Sequence, residues 1–127
     1  MKKSPSPHWK DRSDEHDYLA AANYLSLLID PDQAKKIAAR FKKSPIAKYL
    51  AKDLLRASRL PLLPQENYHV KGDIKKVRKG DLLSPVLLLR GSIESDKPVI
   101  IADGYHRICA SYYLNENAEV LCHLVDL

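Results

Sequence analysis

The pentapeptide Asp103-Gly104-Tyr105-His106-Arg107 carries the residue types and spacing best suited to chemistry. It follows Pro98-Val-Ile-Ile-Ala102, an apolar run of strand length, and opens a segment expected to be helical from Tyr105 to Leu114. A strand that ends in Asp-Gly and feeds directly into a helix is a common way to build an anion site. Gly104 lacks a Cβ and so permits unusual dihedrals and close approach. The N–H groups of a first helical turn have no intrahelical acceptor, and the helix dipole favours negative charge beside them. Arg107 and His106 fall in that turn, and the arginine fork matches phosphate oxygens. Cations placed there are opposed by the dipole by about 0.3–1 kcal/mol each. A compensating anion is therefore expected nearby. A purely structural arrangement would also satisfy these residues: Asp103 caps the helix, and Arg107 pairs with Asp103 or Glu119.

The other reactive types are dispersed. His8, His16, His69 and His123 show no metal-ligand spacing, and the two cysteines, Cys109 and Cys122, are expected to be buried thiols. Neither a zinc site nor a secreted disulfide scaffold is indicated. Asp53 borders an apolar stripe and is expected to pair with Lys52 or Arg56.

The elements that must position the turn follow from periodicity. Residues 1–13, rich in Ser, Pro and Lys, read as a disordered tail in which Trp9 alone is suited to dock. Residues 14–58 read as a helical segment packed on the core. Its three helices run over about 14–29, 31–42 and 45–57, and their stripes centre on Tyr18/Ala21/Leu25, Ala34/Ile37/Phe41 and Ile46/Tyr49/Leu50/Leu54. From residue 59 the texture changes. Leu60-Pro-Leu-Leu-Pro64 suits an edge strand or an extended segment, residues 70–79 a short helix stopped by Gly80, and Pro85–Arg90 a buried strand. The closing strand, 119–127, puts Val120, Cys122 and Leu124 on one face and Leu121, His123 and Val125 on the other. The fold class expected is α+β, a small mixed sheet with helices preceded by three N-terminal helices.

The chain has 127 residues, 45% hydrophobic and 29% charged, enough for one core without metals or disulfides. The N-terminus lacks the apolar core of a secretion signal, and the stretch Tyr18–Ile29 is too short to span a bilayer. A cytoplasmic protein with no membrane partner is expected. The net charge of +5 is uneven: residues 1–80 hold 18 Lys/Arg against 9 Asp/Glu, and residues 81–127 hold 3 against 7. The basic part reads either as solvated helix faces or as a surface for an anionic partner, a nucleic acid or a nucleotide.

With these residues in view, the stretch from about Leu60 to Leu127 resembles the ParB/sulfiredoxin superfamily. The likeness rests on Pro85-Val-Leu-Leu-Leu-Arg-Gly91 and on Pro98-Val-Ile-Ile-Ala-Asp-Gly-Tyr-His-Arg107, followed by a short apolar helix and a closing strand. It implies a ParB/sulfiredoxin-like domain over 59–127 in which Gly104, Tyr105, His106 and Arg107 hold nucleotide phosphates. It also implies that the helix before Pro85 faces the turn, so that Lys75 and Lys76, with Lys71 or His69, add positive charge. Asp103 and His106 become the candidate catalytic groups. The implied ligand is a nucleotide such as CTP, ATP or ADP, with Mg2+ accompanying it.

Departures narrow the activity. Sulfiredoxins carry a reactive cysteine where Tyr105 stands, and partitioning proteins carry a downstream DNA-reading domain that is not seen after Leu127. The readings left open are a nucleotide-binding protein or phosphoryl-transfer enzyme, a nucleic-acid-binding module or nuclease, and a non-catalytic interaction domain. In the last, the N-terminal helices would contact a partner or a second copy in a homodimer.

Overall fold

The computed structural model describes residues 5–127. Nine elements follow in order: α1 (Glu15–Leu25), α2 (Pro31–Lys43), β1 (Ala47–Leu50), α3 (Ala51–Ser58), α4 (Tyr68–Lys79), β2 (Val86–Leu89), β3 (Ile100–Asp103), α5 (Tyr105–Leu114) and β4 (Glu119–Val125). The fold is α+β. Its sheet has the order β1-β4-β2-β3. The β1/β4 and β2/β3 pairs are antiparallel, and β2/β4 is parallel, which makes the sheet mixed.

Helices cover both faces of this sheet. On one face α3, α4 and α5 bury Leu54, Val70, Ile74 and Ile108 against Val86, Leu88, Val120 and Cys122. On the other, α1 and α2 bury Tyr18, Leu25, Ile37 and Phe41 against Leu87, Leu89, Ala102 and Val125. Alternation along β2 and β4 feeds both cores, as the pleat requires. The face assignment expected for β4 holds: Val120 and Cys122 face α3–α5, and Val125 faces α1 and α2.

Several helix limits follow from local chemistry. Pro31 occupies the first turn of α2, and the Asp30 carboxylate accepts from the N–H groups of Asp32 and Gln33. Asn67 caps α4 in the same way, and Gly80 ends it in the left-handed region at φ 86°.

Three expectations need correction. Residues 45–57 do not form one helix. Ala47–Leu50 form edge strand β1 and only residues 51–58 are helical, because pairing with β4 supplies hydrogen bonds that local periodicity cannot foresee. The sheet therefore draws one strand from the segment expected to be wholly helical. Helix α1 stops at Leu25, which leaves Leu27 and Leu28 exposed. Residues 60–63 form neither a helix nor a paired strand among the described residues, so of the two readings of this stretch the extended segment stands. In the N-terminal tail, residues 1–4 lie outside the described residues, but the stretch from His8 onward is anchored. Lys10 N–H donates to the Leu83 carbonyl and Leu83 N–H to that of His8, both at 2.8 Å. Trp9 packs against the α3–α5 core, and the Ser13 hydroxyl donates to the Pro85 carbonyl at 2.7 Å.

His123 on β4 is 3% exposed. Its Nδ1 lies 3.0 Å from the Ser44 carbonyl oxygen, which can only accept, so Nδ1 carries the proton and Nε2 is left buried without a partner. Burial holds the imidazole below its ordinary value of 6.5, with Ser44 pulling the other way. The unfolded chain therefore takes up this proton more readily. The stabilising contribution is complete above pH 6.5 and is lost as pH falls toward the folded-state value. Urea denaturation at pH 7.5 and 5.5 should show wild type losing more stability on acidification than His123→Gln. Equal losses would show that this histidine is not responsible.

Candidate functional site

Strand β3 runs into α5 through Gly104, which sits at φ 109° where an L side chain is strained. A Cβ on Gly104 would lie 2.4 Å from Val86 Cγ1 and 2.7 Å from Arg107 Nη2. The glycine thus admits the chain's own guanidinium, the close approach that the sequence assigns to a phosphate.

Arg107 is held on two sides. Its Nη2 donates to Asp103 Oδ2 at 2.8 Å and its Nη1 to Asp17 Oδ2 at 3.2 Å. The same Asp17 oxygen accepts a short hydrogen bond from the Ser84 hydroxyl, and Asp17 Oδ1 lies 3.2 Å from His16 Nε2. Ser84 is positioned in turn by the N–H of Asp14, which donates to its Oγ at 3.0 Å. The side chains of Asp17 and Arg107 are 5% and 14% exposed, so this is an internal network. The compensating anion expected beside Arg107 is therefore supplied from within, by two carboxylates. The structural pairing of Arg107 with Asp103 is realised, the pairing with Glu119 is not, and Asp17 is a partner that the sequence does not reveal. Burial holds the Asp103 carboxyl above its usual range, Arg107 opposes that, and the nearby Asp17 adds to it.

The network forms one wall of a cleft of about 510 Å3 between α1, α4 and the start of α5. This volume falls within the range of small-molecule sites. Of the expected site residues, the cleft brings together Asp103, Gly104, His106, Arg107 and Lys76, with His69 beside them. It does not gather the remaining two. Tyr105 turns its hydroxyl to the Pro61 carbonyl, a hydrogen bond that ties α5 to the extended segment. Lys75 projects from the opposite side of α4, into a separate groove with Lys71 and Arg78. Adjacent residues on a helix point about 100° apart, which separates Lys75 from Lys76. Asp53 pairs with Arg56 at 3.2 Å, as expected.

His106 and His69 pack against each other in the cleft lining, their ring centroids 4.7 Å apart. Burial, and then the neighbouring His69, holds His106 below its ordinary value. Among the described residues no side chain caps α5, so there the first-turn N–H groups have no side-chain acceptor. Lys10 reaches the cleft from the N-terminal stretch and binds Asp14, at 2.9 Å, which holds that carboxyl below its usual range.

Asp73 is the cleft residue that sequence reasoning passes over. It lies on α4 four residues after His69 and three before Lys76, a spacing that places all three on one helical face. Desolvation raises its carboxyl above the usual range, with Lys76 the strongest opposing charge. That spacing was the available signal, masked by the surrounding lysines.

Three cations (Lys10, Lys76, Arg107) face four carboxylates (Asp14, Asp17, Asp73, Asp103), a formal balance of −1 with the histidines neutral. Among the described residues no group of three or more His, Cys, Asp or Glu side chains is placed to hold a metal ion. Asp17 and Asp103 spend oxygens on Ser84 and Arg107. These residues do not fit a magnesium ion held by the protein. Both thiols are buried, and burial pushes Cys122 up to about 12 and Cys109 above its ordinary value, which disfavours the thiolate form. Among the described residues no helix is long and apolar enough to cross a membrane.

Two stability outcomes follow. Arg107→Met strands two largely buried carboxylates and should cost about 3–5 kcal/mol in urea denaturation. A loss under 1 kcal/mol would show that the network does not carry the fold. For Asp73 the raised folded-state value has the opposite sign: its favourable contribution exists below the unfolded value of 3.8 and is lost as pH rises through the folded value. Asp73→Asn should therefore melt higher than wild type at pH 7.5, and the gain should shrink on acidification. An unchanged or lowered Tm at pH 7.5 would contradict this. No family model, curated protein or solved structure matches the chain.

Proposed function

We propose that the chain binds a phosphate-bearing small molecule, a nucleotide of the ATP, ADP or CTP kind, in the cleft between α1, α4 and α5. The observation that carries this reading is the uncapped start of α5 opening on a cleft whose rim holds Lys10 and Lys76. The N–H groups of α5 would take phosphate oxygens, and Lys76 and His106 would contribute charge or hydrogen bonds beside them. The likeness of the Asp103–Arg107 turn to ParB/sulfiredoxin proteins supports the same ligand class and is part of this proposal.

Arg107 has a changed role in this reading. It orders Gly104 and the helix start through Asp103 and Asp17, and it does not grip the ligand directly. A loss of binding in Arg107→Ala would therefore report damage to the fold as much as lost contact. Lys76 is the better probe, being exposed and without a salt bridge among the described residues.

The second reading, a nucleic-acid surface, is favoured by a different place. Lys71, Lys75 and Arg78 line one groove on the outer side of α4. Phosphodiester binding there would fall steeply with salt.

Thermal-shift screening of ATP, ADP, CTP and GTP tests the first reading. A ligand at about 100-fold its Kd adds about 2.7 kcal/mol, a rise of several degrees in Tm. Lys76→Gln should weaken the binding about tenfold, whereas Lys75→Gln should leave it unchanged. No shift with any nucleotide at millimolar concentration would remove this reading. Salt-dependent binding of a DNA or RNA oligonucleotide, lost in Lys75→Gln, would replace it with the second.

A further inference from the structure

We propose that a second site, apart from the cleft, binds a free α-amino acid with a branched apolar side chain, of the leucine or isoleucine kind. The site lies at the other end of β2 and β3. The cleft borders Ser84, ahead of β2, and Gly104, after β3, whereas this pocket borders Arg90, after β2, and Val99, ahead of β3. It does not depend on the nucleotide reading.

The pocket is a cavity of about 170 Å3 between α3 and the sheet. Leu54 of α3 and Leu88 of β2, both buried, form its inner part, and Leu124, Val99, Ala57 and the Tyr49 side chain complete the walls. An apolar hole of about 150 Å3 holds a benzene ring, so this one accepts a branched alkyl group. It is smaller than the ~300 Å3 at which sites that enclose a whole small molecule begin, which leaves the polar part of a ligand at the mouth. The walls are fixed by the protein itself. Val99 N–H donates to the Ala57 carbonyl at 3.0 Å, and Arg59 Nη2 donates to Asp96 Oδ1 at 2.6 Å, so the end of α3 is tied to the segment that leads into β3.

Two opposite charges line the same pocket, Asp53 of α3 and Arg90. Their side chains are 45% and 57% exposed, which sets them on its solvent side. Each holds a single exposed partner: Arg56 Nη2 donates to Asp53 Oδ1 at 3.2 Å, and Arg90 Nε donates to Asp126 Oδ1 at 2.6 Å. Among the described residues Asp53 Oδ2 accepts no hydrogen bond, and neither terminal nitrogen of Arg90 donates one. Exposed pairs of this kind are weak, so a third charge can join each without disturbing the fold. An apolar pocket with a carboxylate and a guanidinium at its mouth complements a zwitterion with an apolar side chain. The ligand's ammonium would donate to Asp53, and its carboxylate would accept from the Arg90 fork. A plain hydrocarbon would leave both charges unused, a phosphate compound would meet the Asp53 carboxylate, and a serine-like side chain would lose water against leucine and valine.

The full chain, labelled with 15N, would be titrated with L-leucine, L-isoleucine, L-serine and N-acetyl-leucine amide while its amide NMR spectrum is recorded. L-leucine or L-isoleucine should shift the signals of Asp53, Ala57, Arg90 and Val99 saturably, with a Kd of about 1 mM, and leave that of Gly104 in place. L-serine and N-acetyl-leucine amide should bind at least about tenfold more weakly. Ala57→Phe fills the pocket from an exposed helix position and should abolish the shifts, and the spread of its spectrum reports whether it folds. Asp53→Asn and Arg90→Gln, both at exposed side chains, should each weaken binding about tenfold and carry the test should Ala57→Phe fail to fold. No saturable shift with either apolar amino acid at about 20 mM would overturn the proposal, as would unchanged binding in a folded Ala57→Phe. N-acetyl-leucine amide binding as tightly as L-leucine would also overturn it, and would assign the pocket to an apolar side chain of a protein partner.

Discussion

A single guanidinium joins the parts of this molecule. Arg107 belongs to α5, on one face of the sheet, yet it reaches past Gly104 to Asp17 of α1, on the other. Its second donor holds Asp103, the last residue of β3. Helix, strand end and opposite helix are thus tied where the chain turns most sharply. A cation in the first turn of a helix is unfavourable by itself, and burying it adds a desolvation cost. Two carboxylates and a serine hydroxyl offset both. The arrangement demands glycine at 104, because any Cβ would occupy the space of the guanidinium and of Val86.

This constraint decides how an external anion can be held. Asp17 and Asp103 already neutralise the strongest cation of the cleft, and the remaining formal balance is slightly negative. In the proposed nucleotide complex, affinity for a phosphate would come from directed N–H groups and from peripheral lysines. The N-terminal stretch also enters the site. Pairing of residues 8–10 with Leu83 sets Lys10 on the rim, and the Asp14 N–H sets the Ser84 hydroxyl that reaches Asp17. A segment that composition marks as a disordered tail thereby supports the cleft through backbone hydrogen bonds, which composition does not encode.

The legible parts of the sequence were those with local causes. Helix α2 shows its apolar stripe and its proline start within a few residues of each other, and the structure keeps both and adds a cap from Asp30. The strand–turn–helix around Gly104 was visible for the same reason. Strand β1 was not, since Pro45 followed by Ile46, Tyr49, Leu50 and Leu54 satisfies a helical period. Its partner β4 lies some seventy residues later, as in the pair Ala47 and Cys122. Asp17 reads locally as a first-turn acid favouring the α1 dipole, and nothing nearby announces an arginine 90 positions away. Lys75 and Lys76 look interchangeable in sequence, and only helical geometry sends them to different grooves.

The two carboxyls raised by burial differ in what surrounds them. Asp103 loses hydration but regains a guanidinium at 2.8 Å, so its placement is explained by the network it completes. Asp73 loses hydration and receives no hydrogen bond from the described residues, only the diffuse field of Lys76, Arg107 and the histidines. A polar group withdrawn from water without a partner costs stability, on the order of 1–3 kcal/mol when fully buried, and less at a cleft wall that water can reach. Asparagine or serine at that position would avoid the charge without disturbing α4, whose core contacts come from Val70, Ile74 and Val77. The fold therefore gives no reason for an acid at 73.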